Sequence, residues 1–327
     1  MIISRTPFRI SFVGGGTDFE DYYKANEGQV ISTAINKYIY VTVNHKFDNM
    51  IHLRYSDIEC VSRVEDLKHN IAREALKMAG IFKGVEIAII SDIPTQGSGL
   101  GSSSSLAVGL INALYAYKEK TFWFSSNLAK KACSLEIDVL KSPIRKQDQY
   151  ASAFGGLNLI TFCKDGLVLM EKIGDRPINK RRLQWLKSSV MLFYLNGRSS
   201  NKILIEHKNG IESKSSVLDK QKMLTRPFLE WLYGKYDNAF LGELITLSWE
   251  FKKQMTPGAS SGWIENIISQ AIRAGAVGAK LCGAGGGGFL MIICDKSKQP
   301  KVRESLSGFL EMEFSFENEG SKIIHAD

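Results

Sequence analysis

The stretch Ile93-Pro94-Thr95-Gln96-Gly97-Ser98-Gly99-Leu100-Gly101-Ser102-Ser103-Ser104-Ser105 constrains this chain more than any other. It follows the apolar run Val85 to Ile90, which predicts a buried strand. It leads into an apolar-periodic stretch from Leu106 to Tyr117, which predicts a helix. Strand, glycine loop and helix N-terminus therefore succeed one another. Gly97, Gly99 and Gly101 let the backbone approach a ligand without Cβ clashes. The free N–H groups of the first helical turn then face that ligand with the positive end of the helix dipole. Four consecutive serines add hydroxyls, more than a helix cap requires. Such a loop suits a nucleoside triphosphate, with hydroxyls left over for a divalent cation. Two common phosphate loops do not fit it. No Lys follows Gly101, as G-x-x-x-x-G-K-[ST] demands, and the third glycine falls one residue early for G-x-G-x-x-G.

The rest of the first half alternates strand and helix signals. Phe8 to Val13, Tyr38 to Asn44 and Met50 to Tyr55 predict strands, the last two joined by a hairpin-like turn through Phe47-Asp48-Asn49. Glu65 to Ala79 predicts a helix ended by Gly80. Leu128, Ala132, Leu135 and Val139 form one apolar face of a further helix that begins after Ser125-Ser126. Gly155-Gly156 breaks into a strand over Leu157 to Phe162. The basic stretch Arg176 to Lys187 marks the expected boundary between domains at 1–178 and 179–327. Beyond it the pattern predicts a strand over Val190 to Leu195, helices between about 200 and 274, and a strand–glycine loop–strand unit at 278–294. A helix near 297–310 and short strands close the chain.

Composition removes several classes. The 327 residues are enough for two domains with substantial cores, and no run of 18 apolar residues predicts a membrane span. The N-terminus enters a strand pattern by Phe8 and lacks a signal-peptide core. Five scattered cysteines without a C-x-x-C pair argue against a disulfide framework or zinc site and predict a reducing, cytoplasmic setting. The net charge of +8 is spread along the chain rather than clustered as a nucleic-acid patch would be. It suits a protein that steers polyanionic small molecules to a site.

Three segments together carry a family resemblance. Pro7-Phe8-Arg9-Ile10-Ser11-Phe12-Val13-Gly14-Gly15-Gly16-Thr17-Asp18 resembles the opening motif of the GHMP small-molecule kinases. Pro94 to Ser105 resembles their phosphate loop, and Lys280-Leu281-Cys282-Gly283-Ala284-Gly285-Gly286-Gly287-Gly288 resembles their third motif, in the same order and spacing. The Arg9 and Gly-Gly-Gly-Thr-Asp variant is most similar to the heptose 7-phosphate kinase branch. The resemblance implies an α+β GHMP kinase fold: a ribosomal-protein-S5-like, nucleotide-binding N-terminal domain, and a ferredoxin-like C-terminal domain. It implies ATP and Mg²⁺ as cofactors and a small-molecule sugar phosphate as partner, with no nucleic acid and no membrane, and leaves a homodimer open. Fucose- or galactose-type kinases and a non-catalytic sugar sensor are the alternatives.

Residue by residue, the resemblance implies ATP binding by Gly97, Ser98, Gly99, Leu100, Gly101, Ser102, Ser103 and Ser104, and Mg²⁺ ligation by Ser103 and Glu136. Glu136 borders the apolar helix face, where a carboxylate is costly unless paired. Asp148 matches the family's catalytic aspartate, which accepts or orients the substrate hydroxyl proton; the other reading makes it an electrostatic anchor for Arg9. Arg9 offers forked donors to a γ-phosphate and a nearby carboxylate. Gly15, Gly16, Thr17 and Asp18 match the sugar-binding end of the first motif. Galactokinases carry Glu-His where this chain has Gly15-Gly16, a change that opens space for a bulkier sugar. Gly283, Ala284, Gly285 and Gly286 are expected to line the substrate site, and Arg198 either to receive a substrate phosphate or to cap a surface turn.

Overall fold

Alternation of apolar residues along Phe8, Ile10 and Phe12 would suit a half-buried strand, yet Arg9 between them is enclosed as well. The strand is covered on both faces, and the fold follows from that. A computed structural model describes residues 1–94, 97–119, 124–195 and 214–327. Strand β1 (Ile2–Val13) lies between β2 (Gly28–His45) and the C-terminal β13 (Lys322–Ala326) in a nine-stranded sheet. Its main path runs β13-β1-β2-β5-β3-β4, with β3 (Ile51–Arg54), β4 (Ile58–Val61) and β5 (Val85–Ser91). Strand β6 (Leu157–Phe162) extends it along β2 and pairs in turn with β7 (Val168–Lys172), and β12 (Phe316–Glu317) also pairs with β2. Helices α1 (Glu20–Asn26), α2 (Asn70–Ala79), α3 (Ser102–Tyr117), α4 (Ser125–Cys133) and α5 (Gln147–Phe154) belong to this half. Helix α3 is buried along nearly its whole length, which its run from Leu106 to Leu114, apolar but for Asn112, permits.

The second half begins with α6 (Lys180–Ser189) and β8 (Val190–Tyr194), continues through α7 (Ser215–Met223), α8 (Thr225–Leu232), α9 (Asn238–Met255) and α10 (Gly262–Arg273), and returns as β9 (Gly278–Leu281) and β10 (Phe289–Ile293). Helix α11 (Gln299–Ser305) and β11 (Leu310–Glu311) follow. The sheet order β11-β8-β10-β9, antiparallel throughout, is a ferredoxin-like βαββαβ arrangement. One apolar cluster runs from β1 and β2 through α3 into β8, α8 and α9, so the two halves share a core.

Several local expectations are corrected. Strands β2 and β3 do not form a hairpin. β5 inserts between them, pairing antiparallel with β2 and parallel with β3, so the turn at Phe47-Asp48-Asn49 crosses over the end of β5. Helix α2 starts at Asn70 rather than Glu65, because the His69 ring accepts from the Ala72 N–H and Val64–Asp66 form a separate short turn. Most of the basic stretch at 176–187 lies in helix α6. Residues 316–326 leave the second half and rejoin the first sheet, with Phe316 opposite Ile35 and Ile323 opposite Ser4. The helix expected through Val139 is α-helical only to Cys133, and Ser134–Val139 form a π-helical turn. The wider turn shifts the face presented to the core. Val139 becomes exposed, while Leu135 and Glu136 turn inward.

Candidate active site

Arg9 and Asp148, 139 residues apart, meet as a two-pronged ion pair. Nε and Nη2 of Arg9 donate to the two carboxylate oxygens of Asp148 at 2.8 and 2.6 Å, and Nη1 donates to the Gly99 carbonyl at 2.8 Å. Burial alone would lower the pKa of Arg9. The Asp148 charge and its hydrogen bonds outweigh that and raise it, which fixes the cation. The Asp148 side chain keeps 27% of its surface exposed against 6% for Arg9, so the carboxylate is the reachable end of the pair.

The glycine loop runs directly past this pair. Gly101 precedes α3 with φ +82°, and a Cβ there would press on both Asp148 and Arg9. The hydroxyls of Ser98 and Ser102 bond each other at 2.7 Å, and Ser105 bonds the Pro7 carbonyl and Ser152. Leu100 is buried. What Ser98, Ser102 and Leu100 can offer a ligand is backbone. Ser103 alone of the four serines is exposed.

Glu136 lies beneath that serine. It is 1% exposed; Gln149 donates to it at 2.7 Å, and Ser103 and Ser104 hydrogen-bond to it as well. Burial pushes its pKa up to about 7, against the pull of those donors. No Lys or Arg pairs with it among the described residues. A buried carboxylate beside an exposed hydroxyl is an oxygen donor set that fits a hard divalent cation. Among the described residues no cluster of three His, Cys, Asp or Glu side chains could hold a metal alone. Mg²⁺ would therefore have to share its coordination with phosphate oxygens and water, its usual habit. The π-turn is what brings Glu136 under Ser103, and π-turns recur at functional sites.

The first motif closes into a tight turn after β1. Gly14, at φ +85°, lies so close to Gln29 that a Cβ would fall 2.0 Å from its carbonyl oxygen. The Thr17 hydroxyl donates to the Gly14 and Gln29 carbonyls and accepts from the Gln29 N–H. Thr17 thus shapes the turn and has no donor left for a sugar. A Cβ on Gly15 would meet nothing nearer than the Ser11 hydroxyl, at 4.0 Å, and Gly16 holds φ +101°. Asp18 is buried. Its Oδ2 accepts from the Gln147 N–H at 3.0 Å, while Oδ1 has no hydrogen-bond partner among the described residues and lies 3.7 Å from Arg145. Burial raises its pKa, and Arg145 opposes the shift.

The third motif packs against the first glycine loop, backbone to backbone. A Cβ on Gly283 would lie 2.5 Å from the Gly99 Cα, and one on Gly99 2.6 Å from the Cys282 carbonyl. The Phe289 N–H donates to the Ser98 carbonyl at 3.0 Å. Ala284 is buried, and the Gly286 N–H and Gly285 are held against Ala259. Arg198 lies outside the described residues. The sequence did not single out Gln149, Arg145 or Lys252. The first two flank Asp148 in the run Arg145-Lys146-Gln147-Asp148-Gln149, where proximity was a usable signal. Lys252-Lys253 near a helix C-terminus reads as an ordinary solvated, dipole-compensating pair.

A forked cation over a glycine loop, a reachable carboxylate and a buried carboxylate beside an exposed hydroxyl are groups of the kind phosphoryl transfer requires. The chain matches the GHMP kinases N terminal domain over residues 66–156 and the GHMP kinases C terminal over residues 237–311, and it belongs to the GHMP kinase family. It is a phosphotransferase with an alcohol acceptor, and GHMP kinases take ATP as phosphoryl donor. Among its relatives is the D-glycero-alpha-D-manno-heptose 7-phosphate kinase of Campylobacter jejuni, 28% identical over 98% of both chains. The L-fucokinase/L-fucose-1-P guanylyltransferase of Bacteroides fragilis is also 28% identical, over 93% of this chain and 35% of that protein. The crystal structure of a D-glycero-D-manno-heptose 1-phosphate kinase from Bacteroides thetaiotaomicron superposes with a TM-score of 0.79 at 22% identity, covering 100% of both chains. The two sequence relatives support a GHMP sugar kinase, and the superposition shows the shared fold.

Proposed function

We propose that the protein phosphorylates the anomeric (C1) hydroxyl of D-glycero-D-manno-heptose 7-phosphate, with ATP and Mg²⁺, in the cytoplasm. The observation that carries this reading is the Arg9–Asp148 pair beside the glycine loop, with an Asp18 oxygen that accepts no hydrogen bond among the described residues and the side-chain-free Gly15 on the adjoining first motif.

In this reading the N–H groups of the first turn of α3 receive the triphosphate, and Arg9 swings part of its fork from Asp148 toward the γ-phosphate. That releases one Asp148 oxygen to accept the proton of the attacking hydroxyl, while the remaining Arg9 bond keeps the carboxylate aimed. Ser103 and Glu136 would hold Mg²⁺, which when bound offsets charge on the phosphate oxygens. Gln149 keeps the Glu136 carboxylate oriented. Asp18, anchored by Gln147, offers Oδ1 to a sugar hydroxyl. Gly15 and Gly16 leave room for a seven-carbon sugar where a Glu-His pair would intrude.

A panel of sugars tests the substrate. Heptose 7-phosphate is expected to be turned over with much higher kcat/KM than free heptose, galactose or fucose, because binding at the non-reacting phosphate positions the anomeric oxygen. Equal or better use of a free hexose would overturn the substrate while leaving the sugar-kinase class standing.

A further inference from the structure

Two lysines are buried beside the junction of the glycine loops, and among the described residues neither meets a carboxylate. Lys252, on α9, is 8% exposed, and Lys280, on β9, is 5% exposed. Lys252 Nζ donates to the carbonyls of Leu281, at 3.4 Å, and Gly283. Lys280 Nζ donates to the Phe12 carbonyl at 2.7 Å and the Ser248 hydroxyl at 3.1 Å. The nearby cations are otherwise matched: Arg9 by Asp148, and Arg145 by Asp18. The lysines form no ion pair among the described residues, and carbonyl dipoles compensate a buried ammonium only in part.

The surroundings deepen the imbalance. Lys280 and Cys282 face Lys252 from β9 and its following loop, Arg145 from the segment before α5, and Arg9 from β1. Burial and these cations hold the Lys252 pKa well below its usual value, against an opposing pull from Cys282. Burial brings Lys280 down to about 8. The two differ in access. The Lys280 bonds are fully enclosed, whereas the Lys252 bond to Gly283 is only partly buried, on the loop that abuts Gly99. A phosphate dianion would bring the two negative charges that the cluster lacks.

We infer that the Lys252 ammonium, backed by Lys280, is a docking point for a phosphoryl group brought in by a ligand, either the phosphate monoester of the sugar or the terminal phosphate of the nucleotide. The inference rests on the sugar-kinase reading above and adds a specificity-determining residue to it. Arrival of the anion raises the proton affinity that burial and the neighbouring cations depress at Lys252, so its binding draws protons from solvent.

The test separates charge from packing. Lys252→Gln can still donate to the Gly283 carbonyl but carries no charge, and Lys252→Met retains only the stem. Calorimetric titrations of the metal-free wild type and variants use heptose 7-phosphate, unphosphorylated heptose and ATP, each in buffers of different ionisation enthalpy. Both variants should keep a wild-type melting temperature within a few degrees, since a buried unmatched charge is removed. One phosphorylated ligand should lose at least about tenfold in affinity together with its proton uptake, while unphosphorylated heptose is unaffected. Loss confined to heptose 7-phosphate assigns the site to the sugar phosphate, and loss confined to ATP assigns it to the nucleotide. Unchanged affinity and proton uptake for both phosphorylated ligands in Lys252→Gln would overturn the inference. If Lys252→Met unfolds while Lys252→Gln binds both normally, Lys252 is a brace for the glycine loop and nothing more. Failure of the wild type to bind heptose 7-phosphate would strike the substrate proposal, and the ATP titration would then decide for Lys252 alone.

Discussion

Asp148→Asn is expected to lower kcat by roughly 10²–10⁴-fold, the range for loss of a positioned proton acceptor, while ATP still binds. The substitution preserves side-chain shape but removes the charge, and its amide offers one oxygen where Arg9 now engages two. Arg9 keeps its bond to the Gly99 carbonyl, so the loop should hold its form. Steady-state kinetics with a nucleotide-binding titration decide the point. Near-wild-type turnover would reduce Asp148 to an anchor for Arg9, the other reading its sequence position allowed.

Glu136→Gln should be nearly as severe for a different reason. The side chain is buried, so the isosteric amide keeps the packing and can bond Gln149 after a rotation. It cannot serve as an anionic metal ligand. Losing several kcal/mol of charge stabilisation in the transition state corresponds to a kcat loss of about 10²-fold or more, with a weakened response to Mg²⁺ concentration. Because burial raises the Glu136 pKa, neutralising it should leave the ligand-free fold at least as stable. Circular dichroism and Mg²⁺ titrations of activity would check both halves. Unchanged Mg²⁺ dependence in a folded variant would remove Glu136 from the metal site.

The elements that were legible in the sequence are those fixed by local chemistry. Gly80 ends α2 at φ +71°, and the run from Leu106 onward is the buried helix its composition demands. The three motifs converge because each carries glycines that only a close backbone approach requires, as Gly99 against Cys282 shows. What was not legible depends on partners distant in sequence. Nothing around Phe47-Asp48-Asn49 reveals that β5, more than thirty residues on, will separate β2 from β3. The π-turn at Ser134–Val139 breaks the 3.6-residue period on which the helix expectation rested, and it converts Glu136 from a flanking residue to an enclosed one. Strand β13 is short and partly exposed, so only its pairing with β1 defines it. Lys252 shows the same limit at the site: its burial comes from β9 and the third glycine loop rather than from its own helix.

Every role proposed above serves transfer of the ATP γ-phosphate to the anomeric oxygen of a sugar that already bears a phosphate. Phosphorus NMR of the wild-type reaction with heptose 7-phosphate, ATP and Mg²⁺ addresses it most directly. The expected product carries a second phosphate ester whose phosphorus couples to the anomeric proton, with the original 7-phosphate retained and ADP formed in equal amount. A new ester on any other carbon, or ADP formed without a sugar bisphosphate, would contradict it.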